Sequence, residues 1–251
     1  MRILLTNDDG FDSEGLVALY RALSPEHEVS VIAPDRNWSI AGHSKTMDRP
    51  LRVTERDLGG FGGWATDGAP SDCVALAALG FLGELPELVV AGINKGPNLG
   101  DDITYSGTVA SAMEAVISEI PGIAVSLDAY ENWQFDTAAA FTARLVRVVA
   151  RERLPEGVLL NVNVPNLPES RVAGVEVTRL GRRIYRNELV KRLDPSGRPY
   201  YWLAGALPES RHEEEGTDGH ALSNGRISVT PIHLDLTNHR LLEVIEGWHL
   251  A

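Results

Sequence analysis

Two adjacent carboxylates, Asp8 and Asp9, follow a short apolar run, Ile3-Leu4-Leu5, and precede Gly10. The run suits a strand buried on both faces. Gly10 permits a tight turn, and Asp12 or Ser13 can cap a helix over 14–23, where apolar residues recur at helical spacing. The acidic pair therefore sits where a parallel strand meets its first loop, the edge at which open α/β sheets bind ligands. Two ionised carboxylates side by side repel, and keeping both ionised takes a cation. The expectation is a site for a hard divalent metal. The competing reading is a plain polar turn, to which Asp and Gly are well suited; the place after a buried first strand favours the metal.

Two further polar loops follow strands. Glu28–Ala33 reads as a second strand ended by Pro34-Asp35, and the polar stretch 36–49 then carries Ser39, Gly42, His43 and Ser44. Leu88–Ala91 reads as another buried strand. It enters a Gly/Asn-rich loop over 92–102 with Asn94 and Asn98, after which Ser106-Gly107-Thr108 opens a helix over 109–118. These three loops should converge on one sheet edge. They bring carboxylates, a hydroxyl and amide oxygens, hard ligands suited to Mg²⁺ or Mn²⁺. The helix start at 106–108 offers free N–H groups and hydroxyls to a phosphate, although Ser-Gly-Thr is commonly only a cap. His43 could position an anion, shuttle a proton, or be a structural loop histidine. No thiolate cluster or close histidine pair suggests a structural zinc. A P-loop, a Gly-x-Gly-x-x-Gly after the first strand and a Gly-x-Ser-x-Gly elbow are all absent from the sequence.

The elements that must position these loops alternate. Short strands are expected at 51–55 and 64–66, a helix at 73–82, a strand at 123–127, a helix at 135–150 and a strand at 159–164. Alternation up to about residue 165 predicts an α/β core, 1–165, with a Rossmann-like, doubly wound, mostly parallel sheet carrying the site. The part from 166 to 251 has a different texture. Residues 176–193 are strand-like and basic, 194–197 form a turn and 199–203 an aromatic strand, which together make a hairpin. An acidic loop at 212–216, a short helix at 218–222, a strand at 226–232 and a helix at 239–246 complete the chain.

The 251 residues, 43% of them hydrophobic, suffice for one large domain, or one domain with an extension. No stretch approaches the run of about 20 apolar residues that spans a membrane. A net charge of −12 argues against nucleic-acid polymers and membrane surfaces as partners. No apolar signal region follows a basic start, and the single cysteine, Cys73, fits a reducing compartment, so a cytoplasmic location is expected.

Taken together the motifs are specific. They are Thr6-Asn7-Asp8-Asp9-Gly10, Ala33-Pro34-Asp35, Ser39 with Gly42-His43-Ser44, Thr66-Asp67-Gly68 with Pro70-Ser71-Asp72, Gly92-Ile93-Asn94-Lys95-Gly96 with Asn98 and Gly100, Tyr105-Ser106-Gly107-Thr108-Val109, Asn161 to Pro165, and Ser228 to Pro231. On these the chain closely resembles the SurE family of metal-dependent nucleoside-monophosphate phosphatases. The resemblance implies one divalent ion per subunit, Mg²⁺, Mn²⁺ or similar, held by Asp8, Asp9, Ser39 and Asn94. It places Asn98, Ser106, Gly107 and Thr108 around the phosphate, suggests a role for His43, and makes Asp8, Asp9, Asn94 and Ser106 catalytic. It also implies a homodimer or homotetramer, with the hairpin at about 180–204 and the tail reaching another subunit. The sequence departs from the family pattern at Ala91, usually Ser, and Ala69, often Thr or Ser.

The reaction so implied is hydrolysis of a 5′- or 3′-nucleotide to nucleoside and phosphate by metal-activated water. Two rivals share the acidic loop. One is a covalent aspartyl-phosphate phosphatase, whose usual second Asp is here Gly10. The other is a Mg²⁺-binding phospho-receiver with Asp67 as the nearest phosphoacceptor, a module roughly half this length.

Overall fold

The computed structural model describes residues 1–57, 60–184, 187–205, 209–210 and 214–248. Its centre is a nine-stranded sheet in the order β3-β4-β2-β1-β5-β6-β7-β13-β8. In chain order the first strands are β1 (Arg2–Thr6), β2 (Glu28–Pro34), β3 (Val53–Asp57), β4 (Gly62–Thr66) and β5 (Leu88–Lys95). Then follow β6 (Gly122–Asp128), β7 (Val158–Pro165), β8 (Val175–Val177) and, late in the chain, β13 (Ile227–His233). The run β4-β2-β1-β5-β6-β7 is parallel throughout. The antiparallel pairs are β3 with β4 at one edge and β13 with β7 toward the other.

Period-two alternation in the strands decides which helix covers which face. Ile3 and Leu5 of β1 face a core shared with Leu16, Leu19 and Leu23 of α1 (Glu14–Leu23) and Phe141 and Val146 of α4 (Asp136–Glu152). Leu4, between them, faces the opposite core with Cys73, Val74 and Ala77 of α2 (Pro70–Ala78) and Ala115 of α3 (Gly107–Ile117). Each of these leucines is fully buried and contributes about 2 kcal/mol of apolar transfer. The sheet is thus wound on both faces, and its parallel strands all deliver their carboxyl ends to one edge.

Several boundaries differ from the periodicity reading, among them β3, which lies at Val53–Asp57 rather than 51–55, and β4, which starts at Gly62 rather than 64. α2 starts at Pro70 rather than Cys73, because Pro70 occupies the first turn, where its missing N–H costs nothing. It ends at Ala78, and Leu79 beyond it is 88% exposed. β5 runs through Gly92 to Lys95, because it keeps pairing with β6 past an irregularity after Ala91, with Asn94 opposite Ser126 and Lys95 opposite Leu127. The strand-like stretch 176–193 is broken into β8, β9 (Arg183–Ile184) and β10 (Asn187–Leu193).

β10 pairs with β11 (Pro199–Gly205) as the C-terminal hairpin, and β9 pairs with β12 (Glu209–Ser210). Two helices, α5 (Asp218–Ser223) and α6 (His239–Glu246), complete the chain. The central sheet does not stop at residue 165: β13 returns between β7 and β8. Among the described residues no helix is long and apolar enough to cross a membrane.

Candidate active site

The turn after β1 is closed by Asn7, whose buried side chain donates to Gly10 O at 2.9 Å and accepts from Gly10 N at 3.1 Å. Gly10 takes φ +102°, and a Cβ there would stand 3.1 Å from the Arg36 backbone. Closure of this turn aims the next two carboxylates in different directions.

Asp8 is buried, and α3 holds it. Thr108 Oγ1 donates to Asp8 Oδ1 at 2.6 Å and Thr108 N donates to Oδ2 at 3.1 Å. Gly107 lets the helix come this close: a Cβ would lie 2.7 Å from Asp8 Cβ. Burial still pushes the Asp8 carboxyl above the usual aspartate range, against the hydrogen bonds from Thr108. Asp9 accepts from Lys95 N at 3.1 Å and, at 3.4 Å, from Asn37 Nδ2. Its pKa is pushed up to about 6, first by burial and then by the negative charge of Asp8, with Lys95 opposing.

The other loops reach the same place. Trp38 N donates to Asp8 O at 2.7 Å, and Asn37 Oδ1 accepts from Ser39 N at 2.7 Å, so the loop after β2 is fastened beside the acidic pair. Asn94, at the end of β5, donates through its side-chain nitrogen to Gly96 O at 2.7 Å, which leaves its carbonyl oxygen as the pole available to a cation. Asn98 is set by a buried amide network. Its N donates to Asn163 Oδ1 and its Nδ2 to Ser126 Oγ, both at 2.8 Å, and its carbonyl accepts from Asn161 Nδ2 and Asn163 Nδ2 at 2.9 Å. Ser106 caps α3 by accepting from Val109 N at 3.1 Å.

Asp8, Ser39, Asn94, Asn98 and Ser106 line one cleft of about 720 Å³, whose remaining wall includes Ile40, Tyr105 and Tyr130. Thr108 and Gly107 stand behind Asp8, with the Thr108 hydroxyl and amide directed at that carboxylate rather than outward. His43 lies off this lining, 3.0 Å from Glu114 on α3. Glu114 is 2% exposed and also meets Lys45 Nζ at 2.6 Å.

Among the described residues no three His, Cys, Asp or Glu side chains gather as a metal site. A cation would therefore rest on two carboxylates completed by neutral oxygens. The residues fit that role: Asp8 and Asp9 are crowded enough to resist joint ionisation without a cation, and hydroxyl and amide oxygens stand beside them.

Several supporting residues carried no such role in the sequence reading. Asn7 could have been noticed from its spacing to Gly10, a pattern favourable to a side-chain-closed turn. Asn161 and Asn163 recur at period two inside a buried strand, where Asn is disfavoured unless bonded. Asp218 is 1% exposed and accepts from Gly100 N at 2.8 Å and Gly181 N at 2.9 Å. It ties the Asn94–Gly100 loop to the C-terminal part, and no local pattern marks it.

The family model described as "Survival protein SurE" matches residues 3–187. The chain is 53% identical to a protein named 5′-nucleotidase SurE from Chloroflexus aggregans, covering 99% of each. It is 50% identical to one of the same name from Geobacter sulfurreducens, covering all of this chain and 95% of that one. The fold is similar to the crystal structure of the Sure protein from Aquifex aeolicus, with a TM-score of 0.85, 45% identity and 99% coverage of both chains. On the match to the family model and the full-length identity to these relatives, the chain belongs to the SurE family.

Proposed function

We propose that this chain is a metal-dependent 5′-nucleotidase, hydrolysing nucleoside monophosphates to nucleoside and phosphate. The observation that carries the reading is the pair Asp8 and Asp9, crowded at the end of β1, with Asp8 opening on a cleft with Ser39, Asn94, Asn98 and Ser106. The relatives' names, at about half identity over the full length, point the same way.

Asp8, Asp9, Ser39 and Asn94 would hold one divalent ion, Mg²⁺ or Mn²⁺. When bound, that ion supplies Lewis-acid polarisation of a phosphoryl oxygen and a lowered pKa for water. Asp8 is the fixed member, locked by α3. Asp9, less fully bonded by the protein than Asp8, orients the attacking water. Asn98 and Ser106 bind the phosphate oxygens, near the positive end of the α3 dipole. Asn161, Asn163 and Ser126 hold Asn98 still, so binding does not have to order that loop.

The exposed apolar residues Leu189, Tyr201 and Trp202 on the hairpin and Leu241, Leu242 and Val244 on α6 support a homo-oligomer. The test of the function is phosphate release from a panel of nucleoside monophosphates with Mg²⁺, Mn²⁺ or EDTA. Release that requires metal and falls at least about a hundredfold in Asp9→Asn is expected. Full activity of Asp9→Asn, or no release by the folded protein with either metal, would overturn it.

A further inference from the structure

Glu114 lies on α3 and is 2% exposed, yet it takes no part in lining the cleft. Burying a carboxylate is costly, and an apolar side chain at such a position is often at least as stabilising as an ion pair. Here both carboxylate oxygens are used, and by one stretch of chain. His43 Nε2 lies 3.0 Å from Oε2, and Lys45 Nζ lies 2.6 Å from Oε1. Both partners belong to the loop after β2, the loop that carries Ser39.

That loop has little regular structure to hold it. Between Pro34 and Val53 it forms neither helix nor strand, and Ile40 and Met47 are exposed. Trp38 N donates to Asp8 O at 2.7 Å and Gly42 N to Tyr105 O at 3.0 Å, while Thr46 N donates to the Asp72 carboxylate at 3.1 Å. Between these points Ser44 N turns back on Gly42 O inside the loop. Over 43–45 the ties from the loop to the body of the protein, among the described residues, are therefore the two side chains on Glu114. α3 is also the helix whose first turn holds Asp8 through Thr108, and Glu114 stands about 9 Å further along its axis.

We infer that Glu114 is a positioning residue: through His43 and Lys45 it sets the loop that carries Ser39 against the helix that holds Asp8. This rests on the nucleotidase reading, in which Ser39 and Asp8 share the ion. An apolar contact could cover the loop without fixing its register, whereas two hydrogen bonds to one planar carboxylate are directional. Glu114 touches neither ion nor substrate, and its effect on the site travels through the loop.

Glu114→Gln keeps the shape and loses the carboxylate. Lys45→Met removes one partner from the loop side and leaves α3 intact. In EDTA, amide hydrogen exchange over 42–46 should be about tenfold faster in Glu114→Gln and about threefold faster in Lys45→Met, with the α3 amides unchanged. Titration calorimetry should show Mn²⁺ binding about tenfold more weakly to Glu114→Gln. A double-mutant cycle with Ser39→Ala separates positioning from general structural support. Once the Ser39 hydroxyl is gone, Glu114→Gln should weaken Mn²⁺ binding by less than about twofold further. Lys45→Met should show the same coupling on a smaller scale, and it carries the test if Glu114→Gln fails to fold. Fully additive losses in the cycle would overturn the inference, as would loop exchange unchanged in both variants. Mn²⁺ binding indifferent to Ser39→Ala would overturn it too, because there would be no ligand to position. A wild type that shows the coupling but hydrolyses no nucleotide would refute the nucleotidase reading and leave Glu114 in its role.

Discussion

Replacing Asp9 by Asn should stabilise the metal-free protein and abolish its response to metal. In the folded chain Asp9 titrates at about 6 rather than at its ordinary 3.8, because burial and the Asp8 charge disfavour its ionised form. The fold therefore binds this proton more tightly than the unfolded chain does, and stability falls as pH rises from 3.8 through about 6. The full displacement is equivalent to about 3 kcal/mol, reached by pH 8; at pH 4 the cost is only about 0.5 kcal/mol. Asn carries no such term. Its carbonyl can still accept from Lys95 N, and the contact given up is the long one to Asn37.

In EDTA, Asp9→Asn should then be more stable than the wild type by about 2–3 kcal/mol at pH 8, and the advantage should shrink to about 0.5 kcal/mol or less at pH 4. Urea unfolding at pH 4, 6 and 8 reads this directly, because titrating groups away from the pair are common to both proteins and cancel, and relief of Asp8 from its neighbour's charge acts in the same direction. Adding Mn²⁺ at about 100 times its dissociation constant should return about 2.7 kcal/mol to the wild type and far less to the variant. A stability difference that does not change with pH, or a variant less stable than the wild type at pH 8 in EDTA, would refute the idea that Asp9 is held under electrostatic tension which a cation relieves.

Three more substitutions probe the support behind the pair. Thr108→Val keeps the volume but takes the hydroxyl from Asp8; it should cost about 1.5–3 kcal/mol at pH 8, less at pH 4, and weaken Mn²⁺ binding measured by titration calorimetry. Gly107→Ala would gain up to about 1 kcal/mol in an ordinary helix. Here the new Cβ would fall 2.7 Å from Asp8 Cβ, so urea unfolding should show a net loss of stability and phosphate release should collapse. Asp218→Asn removes one of the acceptor oxygens used by the Gly100 and Gly181 amides. It should destabilise by about 2–3 kcal/mol and make the 94–100 loop exchange its amide hydrogens faster.

What could be read from the sequence was local or periodic. Ile3 to Leu5 announces a buried strand by composition, and α1 and α6 match their periodic patterns to the residue. Gly92 to Lys95 looked like loop because glycine and asparagine favour turns, yet pairing with β6 keeps it in the sheet: a tertiary contact outvotes local preference. The direction of β13 is decided by its partners, Asn163 opposite Ser228 and Val158 opposite His233, and nothing within the strand encodes it. The site divides the same way. The acidic pair and the Ser106 cap stand out by type and spacing. The pairings that orient them do not: Thr108 lies 100 residues from Asp8, Asn163 lies 65 from Asn98, and Asp218 lies 118 from Gly100.

The two aspartates are unequal, and the inequality follows from the helix between them and the rest of the fold. α3 spends its first donors on Asp8, so that carboxylate is held by fixed dipoles whether or not a cation is near. Asp9 receives one good backbone hydrogen bond and one long side-chain contact, and carries the repulsion of its neighbour. A site with both carboxylates fully satisfied by the protein would have little to gain from a cation; one with neither satisfied would cost too much stability to fold without it. Dividing the burden gives a rigid anchor and a responsive partner. On the proposed metal site, binding energy for the ion would come mostly from Asp9, and its geometry mostly from Asp8. This division explains why Gly107, which contributes no side chain, is required beside Asp8: any Cβ there would press on the anchor.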